Sequence, residues 1–398
     1  MNSTSNQSRI ARERTLCFVN ELNTLADKFD QADHLPISVV RRLGELGLIG
    51  LGIPTEFGGA GLGAEDRLNS IEQIAACCPA VGATLQIAQL GTSALVEFGT
   101  SEQRAKWLPR LAGGNQICTI AITERDSGSH VDACETTYQR EGNDLILNGS
   151  KWCVGNAGIA DYHVLYAREH SSASYAAILV ESERRGVDCG NRLQTMGLPA
   201  FYLGQIELRA VRVPISNVLG GLGRGRAVIH KVVGRHGRLG VSAVALGIHQ
   251  KLYDRCYQFA SQRELYGAPI ARLPDIKSKL FEIYRLIECS RALAYRAAAA
   301  EDASEPGSGR LLALSKYQSI ENLMSAMPSA MQIFGARANL PECGIAQLQL
   351  DAIMMLAPSG TSDVLRKRIV DDLTGLRPIG WPADEQESHS RCVGMGAL

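Results

Sequence analysis

The apolar residues of this chain change their spacing twice, and that change limits the possible folds more than any single motif does. From about residue 8 to 115 the spacing is helical. Leu35, Val39, Leu43 and Leu46 step by four, four and three, the stripe of an amphipathic helix. Asp33 and Pro36 are its start signals, and Gly47 to Gly50 its end. A Gly-rich loop runs from Phe57 to Gly63, followed by helical segments from Asp66 to Cys78 and from Val81 to Phe98 and a helix start at Ser101-Glu102-Gln103. From about 116 to 225 the period is two. Ile120 and Ile122, Leu145 and Leu147, Val164 and Tyr166, Ile178 and Val180, Ile206 and Leu208, and Val211 and Val213 read as short strands. Turn signals at 141–144, at Asn148-Gly149 and at 156–158 separate them. This is an all-β unit of barrel or sandwich size. From about 226 helical periods return. Ile276, Leu280, Ile283 and Ile287 step by four, three and four, EDASEPGSG at 301–309 breaks that helix from one over Leu311 to Met331, and a last helix spans Ser362 to Leu373. The expected fold class is α+β. It has an N-terminal helical domain over 1–115, a middle β domain over 116–225, a C-terminal helical domain over 226–376 and an irregular tail over 377–398, marked by Pro378 and Pro382.

Charge and composition exclude several functions. Lys+Arg and Asp+Glu both total 41, which argues against a nucleic-acid partner held by bulk positive charge. Mean hydropathy is -0.04, and no apolar run approaches the ~18 to 20 residues of a membrane helix. The polar start MNSTSNQSRIARER lacks the apolar centre of a secretory signal, so a cytoplasmic protein is expected. The 11 Cys contain no C-x-x-C and the eight His no H-E-x-x-H. No metal site is expected, and the cysteines read as reduced and structural.

Two loops invite functional readings. Gly221, Gly223 and Gly225 form a G-x-G-x-G string, but it follows a β-rich unit with no βαβ around it, so it reads as an interdomain turn and not as a dinucleotide fingerprint. Arg125-Asp126-Ser127-Gly128-Ser129 lacks placeable triad partners for a nucleophilic serine. Its small residues and hydroxyls fit either a phosphate cradle or an ordinary surface turn.

The order of these units, together with the strings at their seams, resembles the acyl-CoA dehydrogenase superfamily of FAD enzymes. The likeness runs from about residue 30 to 373. Ala121-Ile122-Thr123-Glu124-Arg125-Asp126-Ser127-Gly128-Ser129 resembles T-E-P-x-A-G-S-D, and Gly149-Ser150-Lys151-Trp152-Cys153-Val154-Gly155-Asn156 resembles G-x-K-x-W-I-T-N. Val211-Arg212-Val213-Pro214 through Leu219-Gly220, Gln262-Arg263-Glu264-Leu265-Tyr266-Gly267 for E-R-x-x-F-G, and Gln332-Ile333-Phe334-Gly335 for Q-x-x-G-G-x-G complete the set. The resemblance implies a C-terminal four-helix bundle and a bound FAD. Ile122, Thr123, Cys153 and Gly155 would lie near the flavin and Gly128 and Ser129 near the pyrophosphate, with Thr361 and Asp363 also approaching the cofactor. Arg263, Tyr266, Gln332 and Ala336 would reach FAD bound mainly by a neighbouring subunit, so a homodimer or homotetramer is implied. Such residue types suit a pyrophosphate and an isoalloxazine.

The departures concern the chemistry. The family's base is a Glu in E-G-T, and here the string is Pro358-Ser359-Gly360-Thr361. Some members carry the base on a helix of the third domain, at a position that aligns with Gly237. Neither place has a carboxylate, and α-proton removal needs a basic group. Ser359 and His236 are therefore the catalytic candidates, with Arg238 and Gly360 at the substrate. Cys153 replaces a Trp, Gly155 a Thr, Ala336 and Ala338 two Gly, Leu350 an Arg, and Pro199 an Arg. Three functions follow from the resemblance. One is FAD-dependent oxidation of an acyl thioester on CoA or on an acyl or peptidyl carrier protein, as in the secondary-metabolism branch, with an unknown electron acceptor. The second is a flavin monooxygenase or N-hydroxylase, favoured if Gly155 opens space beside the flavin. The third is a thioester binder that has lost turnover.

Overall fold

The computed structural model describes residues 2–29 and 32–375, so the expected tail over 377–398 lies outside the described residues. The N-terminal unit comprises α1 (Asn2–Asn23), α2 (Ala26–Phe29), α3 (Ile37–Glu45), α4 (Ala64–Cys77), α5 (Pro79–Phe98) and α6 (Ser101–Ala112). Pro36, not Asp33, precedes α3, and Leu35 lies outside the helix, its N–H donating to Ala200 O at 3.1 Å. The start of α6 is a reciprocal cap. Thr100 accepts from the Gln103 N–H, while the Gln103 side chain accepts from the Thr100 N–H.

The middle unit is one eight-stranded sheet, ordered β6-β7-β3-β2-β4-β5-β8 with β1 parallel to β4. Its strands are β1 (Cys118–Ala121), β2 (Thr137–Glu141), β3 (Asp144–Gly155), β4 (Tyr162–Glu169), β5 (Tyr175–Glu181), β6 (Val187–Asp188), β7 (Leu203–Pro214) and β8 (Val218–Leu219). Two expectations change. Asn148-Gly149 is not a turn: it lies inside β3, where Gly149, at φ 140, stands at a bulge against β7. And β4 and β5 are buried on both faces. Val164, Tyr166 and Leu179 face a core shared with α5, α6 and the helix over 225–232, while Leu165, Ala167, Ile178 and Val180 join a core inside the sheet with Leu145, Ile206 and Val213.

The C-terminal unit holds α7 (Gly225–Val232), a π-helical turn (Val233–Gly237) running into α8 (Arg238–Gln262), the hairpin β9 (Glu264–Leu265) and β10 (Ala268–Pro269), α9 (Pro274–Asp302), α10 (Ser308–Phe334), α11 (Ile345–Met354) and α12 (Ser362–Thr374). The glycine string is the turn from β8 into α7, and β8 pairs antiparallel with β5, so no dinucleotide-binding βαβ unit exists there. Helices α4 and α5 share one apolar cluster with α8, α9 and α10, so the two helical units pack as one body.

Candidate active site

The loop leaving β1 is fastened from below by a buried ion pair. Lys151 is fully buried, and its Nζ donates to Glu124 Oε1 at 2.6 Å and to Ile122 O at 3.1 Å. The Glu124 carboxylate also accepts the N–H groups of Glu135 (2.6 Å) and Thr136 (3.0 Å). Burial alone would raise the Glu124 pKa; Lys151 and these donors overcome it and hold it at about 2. The Trp152 N–H donates to Thr123 O at 2.8 Å, and Arg125 lies 4.3 Å over the Trp152 ring. Ile122 and Thr123 are thus held beside Trp152 and Cys153, where an exposed Cys153 takes φ 54 at a second bulge of β3. The loop beyond is open: Ser129 is exposed, and a Cβ built on Gly128 meets nothing within 4 Å.

Ser359 (φ 58) and Gly360 (φ 104) form the turn between α11 and α12. Wholly buried Lys316 on α10 fastens it, donating to Leu356 O at 2.9 Å and to Gly360 O at 2.6 Å. Thr361 caps α12, its Oγ1 accepting the Val364 N–H at 3.4 Å, and exposed Asp363 pairs with Arg366 in the first turn. A Cβ placed on Gly237 would stand 2.7 Å from Ser359 Oγ. The two base positions that the resemblance offers therefore converge on one spot, and a hydrogen and a hydroxyl occupy it.

His236 is turned away from that spot. Its Nδ1 meets Arg67 Nη1 at 2.7 Å and its Nε2 the Glu97 carboxylate. Arg67 can only donate, so Nδ1 accepts and Nε2 carries the proton toward Glu97. Burial holds the imidazole pKa below its ordinary value despite Glu97. Both ring nitrogens are engaged, which leaves neither for a substrate proton. Arg67 also donates from Nε to Gln89 Oε1 at 3.0 Å, and these groups line a cavity of about 90 Å³ between α4, α5 and the π-turn.

The room expected beside Gly155 is filled. A Cβ there would come within 2.8 Å of Phe201 Cζ and 2.9 Å of Ile87 Cγ1. Nearby, buried Asp351 accepts the Leu198 N–H at 2.6 Å and Gln347 Nε2 at 2.8 Å, tying the loop that contains Pro199 to α11.

Arg263, Tyr266, Gln332 and Ala336 gather at the opposite end of α8, where Phe259 stacks on Phe334 at 4.2 Å. All four are exposed, Tyr266 at 95%. At ~1.5 Å per residue α8 places Arg263 about 39 Å from Gly237. Apart from Thr361 and Asp363 at the start of α12, the predicted cofactor residues of one chain thus form two groups. The first offers an open main-chain loop with hydroxyls beside Trp152, and the second offers a guanidinium, a phenol and an amide. These donors fit a pyrophosphate and a flavin ring, so the residues present are compatible with FAD.

Family models for the N-terminal, middle and C-terminal domains of acyl-CoA dehydrogenase match residues 4–115, 119–211 and 223–374. The chain belongs to the acyl-CoA dehydrogenase family. The 3-(aryl)acrylate reductase of Clostridium sporogenes is 30% identical over 358 residues, 89% of this chain and 94% of the relative. The rat mitochondrial short-chain specific acyl-CoA dehydrogenase is 29% identical over 357 residues, 89% of this chain and 86% of that one. Among solved structures, the FAD complex of PigA superposes with a TM-score of 0.87 at 26% identity, covering 95% of this chain and 99% of PigA.

Within this acyl-CoA dehydrogenase fold, several residues around the site escaped the sequence reading. A lysine inside the apolar run LLALSKYQSI was a signal for Lys316. Arg67, Glu97 and Phe201 gave none, because their partners are distant in the chain. Among the described residues no group of His, Cys, Asp and Glu could hold a metal ion, and no helix is long and apolar enough to cross a membrane.

Proposed function

We propose that this protein is a FAD-dependent oxidoreductase that oxidises an acyl thioester presented by CoA or a carrier protein, without a carboxylate base at either usual position. The observation that carries the proposal is the meeting of Gly237 and Ser359 at one spot, within a chain that all three acyl-CoA dehydrogenase domain models match. Ile122, Thr123, Gly128 and Ser129 would hold the cofactor on the chain that binds substrate, and Arg263, Tyr266, Gln332 and Ala336 would meet the cofactor of a second copy. The length of α8 supports this division, because the second group lies at the far end of that helix from the spot where Gly237 meets Ser359. When bound, FAD supplies two-electron acceptor chemistry.

The chain's own residues then have three tasks. Lys316 holds the carbonyls of Leu356 and Gly360 from behind, so that the turn's main chain is fixed where a thioester carbonyl would be polarised. Phe201 and Ile87 wall the site beside Gly155, which disfavours the monooxygenase reading that needs room there. Ser359 Oγ can donate to or accept from the acyl group, but a hydroxyl is a poor proton acceptor. The substrate consistent with such a site has an α-proton more acidic than that of a simple saturated acyl group.

Ser359→Glu tests the reading. Restoring a carboxylate should raise the rate of flavin reduction by butyryl-CoA by about 10²-fold or more, the usual range for general-base catalysis. No gain, with FAD still bound, would show that the rest of the site is not built for acyl thioester oxidation.

A further inference from the structure

Arg238 opens α8 directly after Gly237 and is 8% exposed. Its Nε is buried without a hydrogen-bond partner. An unpaired charge in a protein interior is costly, so a buried guanidinium normally faces a carboxylate. Here the neighbours are of the same sign. Lys316 on α10 and Arg368 on α12 both lie close enough to be felt. Burial and the Arg368 charge lower Arg238 to about 10, and burial and the Arg238 charge lower Lys316 to about 8. The one carboxylate that acts on Lys316 is Glu321, which is occupied by the Ser362 hydroxyl at 2.6 Å. Arg238 Nη1 stands 3.9 Å from where a Cβ on Gly234 would be. Gly234 on the π-turn and Ser359 and Gly360 on the 356–361 turn, which flank this positive cluster, are only half-buried. Ser359, which stands where the resemblance places a Glu, brings no charge to balance them.

We propose that Arg238 receives a carboxylate carried by the acyl group, so that the substrate is the monothioester of a dicarboxylic acid. A planar carboxylate matches the guanidinium fork and satisfies the buried Nε, which a neutral acyl chain leaves unpaired. The inference rests on the thioester reading given above and specifies its acyl group.

Calorimetric titration of the FAD-loaded protein with three pantetheine thioesters tests it. These are succinyl, butyryl and the neutral isostere succinamoyl, and pantetheine is common to CoA and carrier proteins. Succinyl should bind at least about tenfold more tightly than either neutral thioester. Arg238→Met should abolish that preference, and Arg238→Lys should keep part of it. Equal affinity for succinyl and succinamoyl in the wild type overturns the proposal, whether or not the Met variant folds. A preference that survives Arg238→Met does so too. Failure of all three to bind is a separate result, which removes the thioester reading and this inference with it.

Discussion

Lys151→Met should loosen the cofactor loop far more than a surface change would. The substitution keeps the length and apolar stem of the side chain but removes the charge facing Glu124. Folding moves the Glu124 carboxyl from 4.5 to about 2, which corresponds to about 3 kcal/mol of stabilisation at neutral pH. Glu124 is 7% exposed, so water cannot replace the lost partner. Without Lys151 the ionised carboxylate stays buried against two main-chain amides, and the expected cost is about 3 kcal/mol, within the range for breaking buried pairs. Chemical denaturation at pH 7 should show it, with a parallel loss of FAD affinity because Lys151 also holds Ile122 O. Glu124→Gln in the same background should recover much of the loss, since an uncharged amide no longer needs the ammonium. The sign with pH follows from the depressed carboxyl. The pair's contribution is fully present above 4.5 and is lost as pH falls toward about 2, and in Lys151→Met that acid-side slope should flatten. A loss below about 1 kcal/mol, or equal damage in single and double variants, would refute the reasoning.

Two further outcomes follow from packing and burial. Gly155→Thr should clash with Phe201 Cζ, 2.8 Å from the new Cβ, lowering stability by about 1–3 kcal/mol; Phe201→Ala should relieve it in the double variant, read by thermal unfolding. His249 is wholly buried, neither ring nitrogen has a partner, and burial, with repulsion from Arg291, lowers it to about 3. Its contribution is intact above the ordinary pKa of 6.5 and is lost as pH falls from there toward about 3. His249→Leu should therefore flatten the fall of stability between pH 6.5 and 4 while leaving stability at pH 8 nearly unchanged.

The fold was legible wherever one face of an element meets water. The four-and-three stepping of Ile276 to Ile287 marks α9, which has an exposed side. It was least legible where burial is complete. Nearly every residue from Arg238 to Leu252 in α8 is buried, so no stripe distinguishes a face. Strands β4 and β5 were legible from Val164, Tyr166, Ile178 and Val180, but not their packing on both faces, because the residues between are apolar too. Motif strings singled out Thr123 and Ser359, but they could not show that Glu124 and Lys151 are structural ties, or that His236 is spent on Arg67 and Glu97. The second depends on contacts across more than a hundred residues, such as His236 with Glu97, and the first on how β3 folds back on the loop after β1; spacing in one chain carries no trace of either.

The central claim is a flavin site that accepts an acyl thioester yet holds no carboxylate at its α-carbon. Anaerobic absorbance titration of the FAD-loaded wild-type protein addresses it most directly, with butyryl-CoA compared against a thioester whose α-proton is acidified by a second carbonyl substituent. The account predicts that the acidified thioester bleaches the flavin while butyryl-CoA leaves it oxidised over the same interval. Rapid bleaching by butyryl-CoA in the wild type would mean that a strong base does reach the α-carbon, and would contradict the account.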